Sequence, residues 1–264
     1  MPEVSKSPWL PFPVPAGAET ALLCLPHAGA GASSYRAWGA GLAPQVGAYP
    51  VQPPGREKRR AEAPIRDVTQ YVRELAPEII ARLDGPYAVF GHSTGAICAF
   101  ELVREFRRLG WAMPEHLFVA GRRAPHLPMP RHRLEDLTVE ELADFLGGLG
   151  GTPPQVLADR LLLEQRQPLL GADFQVNEEY RFQEQEPLAV PITVFAATED
   201  EWGTPDLMKG WVEHTSADFE LHSLSGDHFA IFEQAAAVHD VIRARLADGV
   251  AEQPPLAALP EPTP

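Results

Sequence analysis

The chain has 264 residues, with 22 Lys and Arg against 36 Asp and Glu, a formal net charge of −14. That length suits one large α/β domain; 45% hydrophobic and 22% charged residues exclude wholesale disorder, collagen and coiled coil. A sequence pI near 5.0 argues against a nucleic-acid binder that works through global positive charge, and no apolar run approaches the roughly 18–20 residues of a membrane span.

Residues 1–18 read as an extended, proline-rich N-terminal arm that lacks the apolar stretch of a secretory signal. A strand is predicted at Ala21–Leu25, then the Gly-rich loop HAGAGASS, a short helix through Tyr35, Trp38 and Leu42, and a weak strand ahead of Pro50. Asp67–Leu83 carries apolar residues at 68, 72, 75, 79 and 83, a helical period. Tyr87–Phe90 reads as a strand, Ala96–Leu109 as a helix that Gly110 stops, and His116–Ala120 as a strand. Further on come strands at Ile192–Ala197 and Phe219–Leu224, a helix around Asp206–Glu213 between them, and a last helix over about Phe229–Leu246. Residues 249–264 are expected to form a disordered tail.

This alternation predicts an α/β class fold with a mostly parallel central sheet flanked by helices, its core formed by residues 19–133 and 186–248. Residues 134–185 break it, because their pattern is helical only, opening with a capping box at Thr138–Glu141. Parallel sheets bind ligands at the carboxyl ends of their strands, so the insertion is expected to be a helical lid over a pocket. Cys24 and Cys98 fall in a predicted strand and a predicted helix among apolar neighbours. Buried free thiols are expected, which fits a reducing, cytoplasmic location.

Gly91-His92-Ser93-Thr94-Gly95 is a G-x-S-x-G pentapeptide directly between a predicted strand and a predicted helix, the setting of a nucleophile elbow. A serine hydroxyl needs a base, and on such a fold the order is Ser, then Asp or Glu, then His. His228 lies in the loop between the last predicted strand and the last helix, where a base could reach Ser93; His214, His222 and His239 fall on helix or strand, and His92 is expected to support the turn. Asp200, just past the strand Ile192–Ala197, is favoured as orienting acid over its neighbours Glu199, Glu201 and Asp206; Asp227 is too close to His228 in sequence. The oxyanion of acyl transfer needs two N–H donors: Thr94 supplies one, and the small-residue loop Pro26–Gly31 should supply the other. Neither a Walker-type nor a G-x-G-x-x-G spacing occurs, and no Cys/His ligand cluster is visible, so no cofactor and no metal are expected.

Leu-Pro-His-Ala-Gly-Ala-Gly-Ala (25–32), Pro-Gly-Arg-Glu (54–57), Gly-His-Ser-Thr-Gly-Ala (91–96), Leu-Leu-Gly-Ala-Asp-Phe (169–174) with Glu-Glu-Tyr (178–180), and Gly-Asp-His-Phe (226–229) occur in order. Over residues 15–247 the chain thereby resembles the type II, stand-alone editing thioesterases of polyketide and nonribosomal peptide synthases. The resemblance implies an α/β-hydrolase fold and hydrolysis of acyl groups from the phosphopantetheine arm of acyl or peptidyl carrier proteins, clearing stalled or mis-primed chains. It implies Ser93 as nucleophile, His228 as base, Asp200 as orienter, and Ala28 and Thr94 as oxyanion-hole amides. The chain departs from the family pattern at Thr94, where methionine is common, at Gly171, where arginine is usual, and at Asp227, which replaces a glycine.

The basic run Arg56–Arg60, with Arg122, Arg123, Arg131 and Arg133, is a candidate contact for a phosphate or an acidic carrier protein, although Arg56 and Glu57 belong to a motif and are expected to be structural. A monomer is expected, with no nucleic-acid and no membrane partner. The alternatives are an esterase acting on a free small ester or lactone, a cyclising integrated thioesterase, which the lack of a carrier domain before residue 1 disfavours, and a non-catalytic relic.

Overall fold

The computed structural model describes residues 7–13, 17–83 and 85–249. Six strands, β1 (Thr20–Leu25), β2 (Val46–Pro50), β3 (Tyr87–His92), β4 (Leu117–Ala120), β5 (Ile192–Ala197) and β6 (Phe219–Leu224), form one sheet in the order β2-β1-β3-β4-β5-β6. All five pairings are parallel. The chain steps outward from β1 to β2, returns to β3 on the other side of β1, and then builds steadily outward. The loops leaving β1 and β3 therefore diverge, and a crevice opens at their carboxyl ends, where parallel sheets hold ligands.

A strand sends alternate side chains to opposite faces, and here both faces are covered. Leu23, Leu25, Val89, Val119 and Val194 pack with α2 (Val68–Ile80) and α3 (Thr94–Leu109). Leu22, Cys24, Phe90, Phe118 and Phe195 pack on the other side with α1 (Trp38–Leu42) and the last helix. Asp67 caps α2 by accepting from Gln70 N–H (2.9 Å), and Gly110 ends α3 in the left-handed region at φ 67°. Cys24 and Cys98 lie one on each side of the sheet, buried and unpaired. No helix among the described residues is long and apolar enough to cross a membrane.

Between β4 and β5 the chain forms α4 (Val139–Leu149), α5 (Pro154–Leu157) and α6 (Arg160–Glu178), with the capping box at Thr138 and Glu141 in place. These helices have their own apolar cluster, including Leu142, Leu146, Leu163 and Phe174, which meets Trp202 from the loop after β5. The last of these helices stops at Glu178, before the end of the 134–185 stretch. The guanidinium groups of Arg104 and Arg107 on α3 take the carbonyls of Gln183, Glu186 and Pro187, so this segment bonds to the core in extended form instead of to itself.

Two further elements differ from expectation. The helix around Asp206–Glu213 is α7 (Pro205–Met208) followed by tighter 3-10 turns over Lys209–His214. The last helix is two, α8 (Ala230–Glu233) and α9 (Ala235–Gly249), broken at Gln234, whose side chain reaches back to Ser225 O. In the N-terminal arm, Trp9 is buried edge-on to Tyr71 (5.4 Å) with the Arg59 guanidinium 4.6 Å above its ring, so this part is packed on the core. The expected tail lies outside the described residues beyond Gly249.

Leu75 is fully buried on α2 in the cluster it shares with α3. Leu75→Ala should cost about 2–5 kcal/mol, because the lost transfer energy adds to that of the cavity left behind. Urea unfolding followed by circular dichroism measures this, and a loss below about 1 kcal/mol would mean the site collapses to fill the space.

Candidate active site

The turn from β3 into α3 sets the geometry. Ser93 sits at φ 57°, ψ −121°, a conformation a non-glycine residue holds only when its surroundings impose it. Its N–H donates to Ala120 O on β4 (2.8 Å). The flanking glycines are required by contact: a Cβ on Gly91 would strike the Gly95 carbonyl, and one on Gly95 would strike Leu25 O. The serine is thus lifted to the head of α3, where the helix N-terminus supplies partial positive charge.

Ser93, His228 and Ala28 line one cavity of about 480 Å³. His228, in the loop after β6, is 3% exposed, and its Nδ1 lies 2.9 Å from Asp200 Oδ2. The other carboxylate oxygen, Oδ1, accepts from Trp202 N–H (2.9 Å). Burial pushes the Asp200 carboxyl up, but the His228 hydrogen bond and charge with the loop amides outweigh it and hold the group below the usual aspartate value. The sequence-predicted residues Ser93, Asp200 and His228 are therefore gathered at one place from the ends of β3, β5 and β6. Among the described residues Ser93 Oγ has no hydrogen-bond partner; Asp227 bonds locally to Phe229 N–H (2.7 Å) and does not reach the His228 ring nitrogens.

The amides of the loop after β1 are nearly all committed. Gly29 N–H donates to Asp173 Oδ2 (2.6 Å), Ala30 N–H to His27 O (3.2 Å), Ala32 N–H to Gln52 Oε1 (3.0 Å) and Ser33 N–H to Glu57 Oε1 (3.1 Å). Neither Ala28 N–H nor Thr94 N–H has an acceptor among the described residues. They are free to meet a substrate oxygen.

His92, expected to support the turn, holds these parts together, with His27, which sequence reasoning passed over. His92 Nε2 lies 2.8 Å from His228 O, and a carbonyl can only accept, so that nitrogen carries the proton. His92 Nδ1 is then an acceptor, and His27 Nδ1, 3.3 Å away, is its donor. Two neutral imidazoles in series thus tie the loop after β1 to the elbow and the elbow to the His228 loop. Burial, then the charges of His228 and Arg56, pushes the His27 pKa down to about 3; burial, then His228 and His27, holds His92 well below the usual histidine value. Gly121, at φ 63°, leaves room for the rings, since a Cβ there would lie 2.9 Å from His92 Nε2.

The basic run is not a continuous surface. Arg56 and Arg59 are buried, paired with Asp173 and Glu62 respectively, which leaves Lys58 and Arg60 exposed. Arg122 is also buried, donating to Asn177 Oδ1 (2.8 Å) and to the carbonyls of Arg123 and Ala124. Arg131 and Arg133 remain at the surface.

Five histidines have lowered pKa values: His27 and His116 at about 3, His214 at about 4, and His92 and His239 lowered, burial being the largest cause in each. An unfolded chain would protonate them near pH 6.5 while the folded one keeps them neutral, so stability is full above that pH and falls as pH drops. Asp200, with a depressed pKa, loses its contribution only further down, below about pH 4. The melting temperature should be flat from pH 8 to 7 and fall steadily to pH 5, with unfolding taking up about four protons at pH 5. Calorimetry in buffers of different ionisation heat measures both, and a pH-independent transition from 7 to 5 would contradict the neutral histidines.

A family model described as a thioesterase domain matches residues 20–246. The linear gramicidin dehydrogenase LgrE of Brevibacillus parabrevis is 38% identical over 247 residues, spanning 92% of this chain and 94% of its own length. The gramicidin S biosynthesis protein GrsT of Aneurinibacillus migulanus is 37% identical over 220 residues, 83% and 86% of the two chains. Among solved structures, the RedJ thioesterase of the Streptomyces coelicolor prodiginine pathway superposes with a TM-score of 0.82 at 33% identity, covering 89% of this chain and 92% of its own. The type II thioesterase BorB of the borrelidin cluster gives 0.82 at 36%, covering 91% and 98%. The chain belongs to the thioesterase family and has its α/β-hydrolase fold.

Proposed function

We propose that this thioesterase removes acyl groups from the phosphopantetheine arm of carrier proteins in a polyketide or nonribosomal peptide synthase, in an editing role, through a Ser93–His228–Asp200 triad. The observation that carries the reading is the coincidence of a strained serine, an aspartate-bonded imidazole and an unpartnered amide at one cavity. The relatives GrsT and BorB, one named for gramicidin S biosynthesis and the other a type II thioesterase, support the substrate class. The chain has no G-x-G-x-x-G spacing, so the dehydrogenase in LgrE's name has no dinucleotide fingerprint here.

Ser93 Oγ attacks the thioester carbonyl as His228 Nε2 takes its proton, and the oxyanion is held by the N–H groups of Ala28 and Thr94. Asp200 keeps Nδ1–H in place and stabilises the imidazolium. His228 also lines a second recess of about 380 Å³ with Asp144, Glu199, Glu201 and Asp227, whose negative charge favours the same cation. The intermediate collapses, and the pantetheine sulfur leaves with the proton from His228. Water then attacks the acyl-Ser93 ester, His228 taking a proton from it and returning that proton to Ser93 Oγ as the free acid departs.

The acyl chain would lie in the 480 Å³ cavity, whose walls include Leu146, Leu149, Val156, Leu163, Leu170 and Phe174 from α4, α5 and α6, which would act as a lid. The buried free thiols of Cys24 and Cys98 suit a reducing cytoplasm.

Hydrolysis of one acyl group presented on a carrier protein, on a small thiol and as an oxygen ester tests the reading. Release from the carrier should be fastest, and Ser93→Ala should lower it at least about 10³-fold. Equal or better turnover of the oxygen ester would favour a general esterase, and activity surviving in Ser93→Ala would remove the triad.

A further inference from the structure

Three segments far apart in sequence meet at one buried carboxylate. Asp173 on α6 is 6% exposed and Arg56 3% exposed. Arg56 Nη1 and Nη2 donate to Asp173 Oδ2 and Oδ1 at 2.5 and 2.8 Å, a bidentate pair. The same Oδ2 accepts from Gly29 N–H at 2.6 Å, and Arg56 Nη1 also donates to Ala30 O at 3.1 Å. Carboxylate and guanidinium together grip the backbone of the loop after β1 on both sides of the Gly29–Ala30 peptide.

That loop is a turn with a choice of conformation. Ala30 N–H bonds to His27 O, and Gly29 has φ 77°, the signature of a type II turn with Ala28 and Gly29 at its centre. A type I turn keeps the same closing bond but flips the central Ala28–Gly29 peptide. The N–H of that peptide is the one Asp173 holds. Both forms hold Ala28 at φ of about −60°, so that flip leaves in place the preceding peptide, which bears the unpartnered Ala28 N–H; what the two side chains fix is the position of the turn as a body, and the Ala28 amide with it.

We propose that Asp173 and Arg56 are positioning residues that lock this turn, so that the seating of α6 sets the aim of the Ala28 oxyanion donor. The inference rests on the oxyanion role given to Ala28 above. A buried ion pair is weak evidence for stability, since apolar replacement of both partners is often neutral; its three-way contact with the turn is what assigns it a task. The coupling also means that a substrate which displaces α6 loosens the oxyanion hole, and one that leaves it seated does not.

The double variant Arg56→Met/Asp173→Leu replaces the pair by apolar groups of similar size and separates packing from positioning. It should unfold cooperatively, with kcat about 10- to 100-fold lower and KM within about twofold, because an oxyanion contact acts only in the transition state. Affinity for an acyl trifluoromethyl ketone, which forms the tetrahedral oxyanion on Ser93, should fall in parallel with kcat, while a non-hydrolysable thioether analogue binds as before. Wild-type kcat and ketone affinity in a folded double variant would overturn the proposal. Should the double variant not fold, Asp173→Asn takes its place: it keeps one acceptor for Gly29 N–H but loses the bidentate pair. The ¹⁵N-labelled Gly29 amide should then move upfield together with a drop in kcat, and an unmoved resonance or an unchanged kcat would overturn the proposal. Failure of the parent reading looks different, since wild type itself would then resist the ketone.

Discussion

A serine held at φ 57° between a strand and a helix is a strained object, at a cost of about 1–3 kcal/mol, and the rest of the molecule is arranged around keeping it there. β3 lies inside the sheet with β1 on one side and β4 on the other, and Ser93 N–H is bonded to the end of β4. Gly91 and Gly95 bring α3 closer to the strands than any Cβ would allow. Because the strand order changes direction between β1 and β3, the serine rises at the one place where neighbouring loops part. The loops after β1, β5 and β6 then deliver an amide, a carboxylate and an imidazole to the same spot.

The elbow also holds the loop that carries His228. His92 precedes Ser93, and its ring donates to the His228 carbonyl while accepting from His27. Ser93 and His228, far apart in sequence, are thus tied through one side chain adjacent to the serine, and His92 must be neutral for its two bonds to have the right polarity. Asp200 completes the arrangement from the opposite side, and two of its oxygens' contacts, one to His228 and one to the Trp202 amide, fix the carboxylate before any charge develops. The Arg56–Asp173 pair plays the corresponding part for the turn that bears Ala28.

The strands and main helices were legible because their signals are local. Ile192–Ala197 and Phe219–Leu224 are short apolar or alternating runs bounded by turns, and Gly110 stops α3 by its own backbone freedom. That Ser93, Asp200 and His228 would meet was legible because an elbow must follow a strand and its two proposed partners must follow later strands, a constraint that order alone expresses. What order does not express is pairing at a distance. Arg56 and Asp173 are 117 positions apart, and nothing local to either motif says that they meet; Arg56 was expected to be structural, but its partner stayed hidden for this reason. The anchoring of the segment after Glu178 was not legible because its backbone partners are arginines on α3, and a local pattern cannot show an acceptor taken by a side chain from elsewhere.

The most direct test of the central claim is to catch the acyl group on the enzyme. With Asp200→Asn slowing turnover by about 10⁴, a carrier protein loaded with an acyl group is mixed with the variant, quenched in acid and mapped by peptide mass spectrometry. The account predicts an added acyl mass on the peptide containing Ser93, absent from Ser93→Ala. Acylation at another residue, or release of free acid at the wild-type rate from Ser93→Ala, would contradict it.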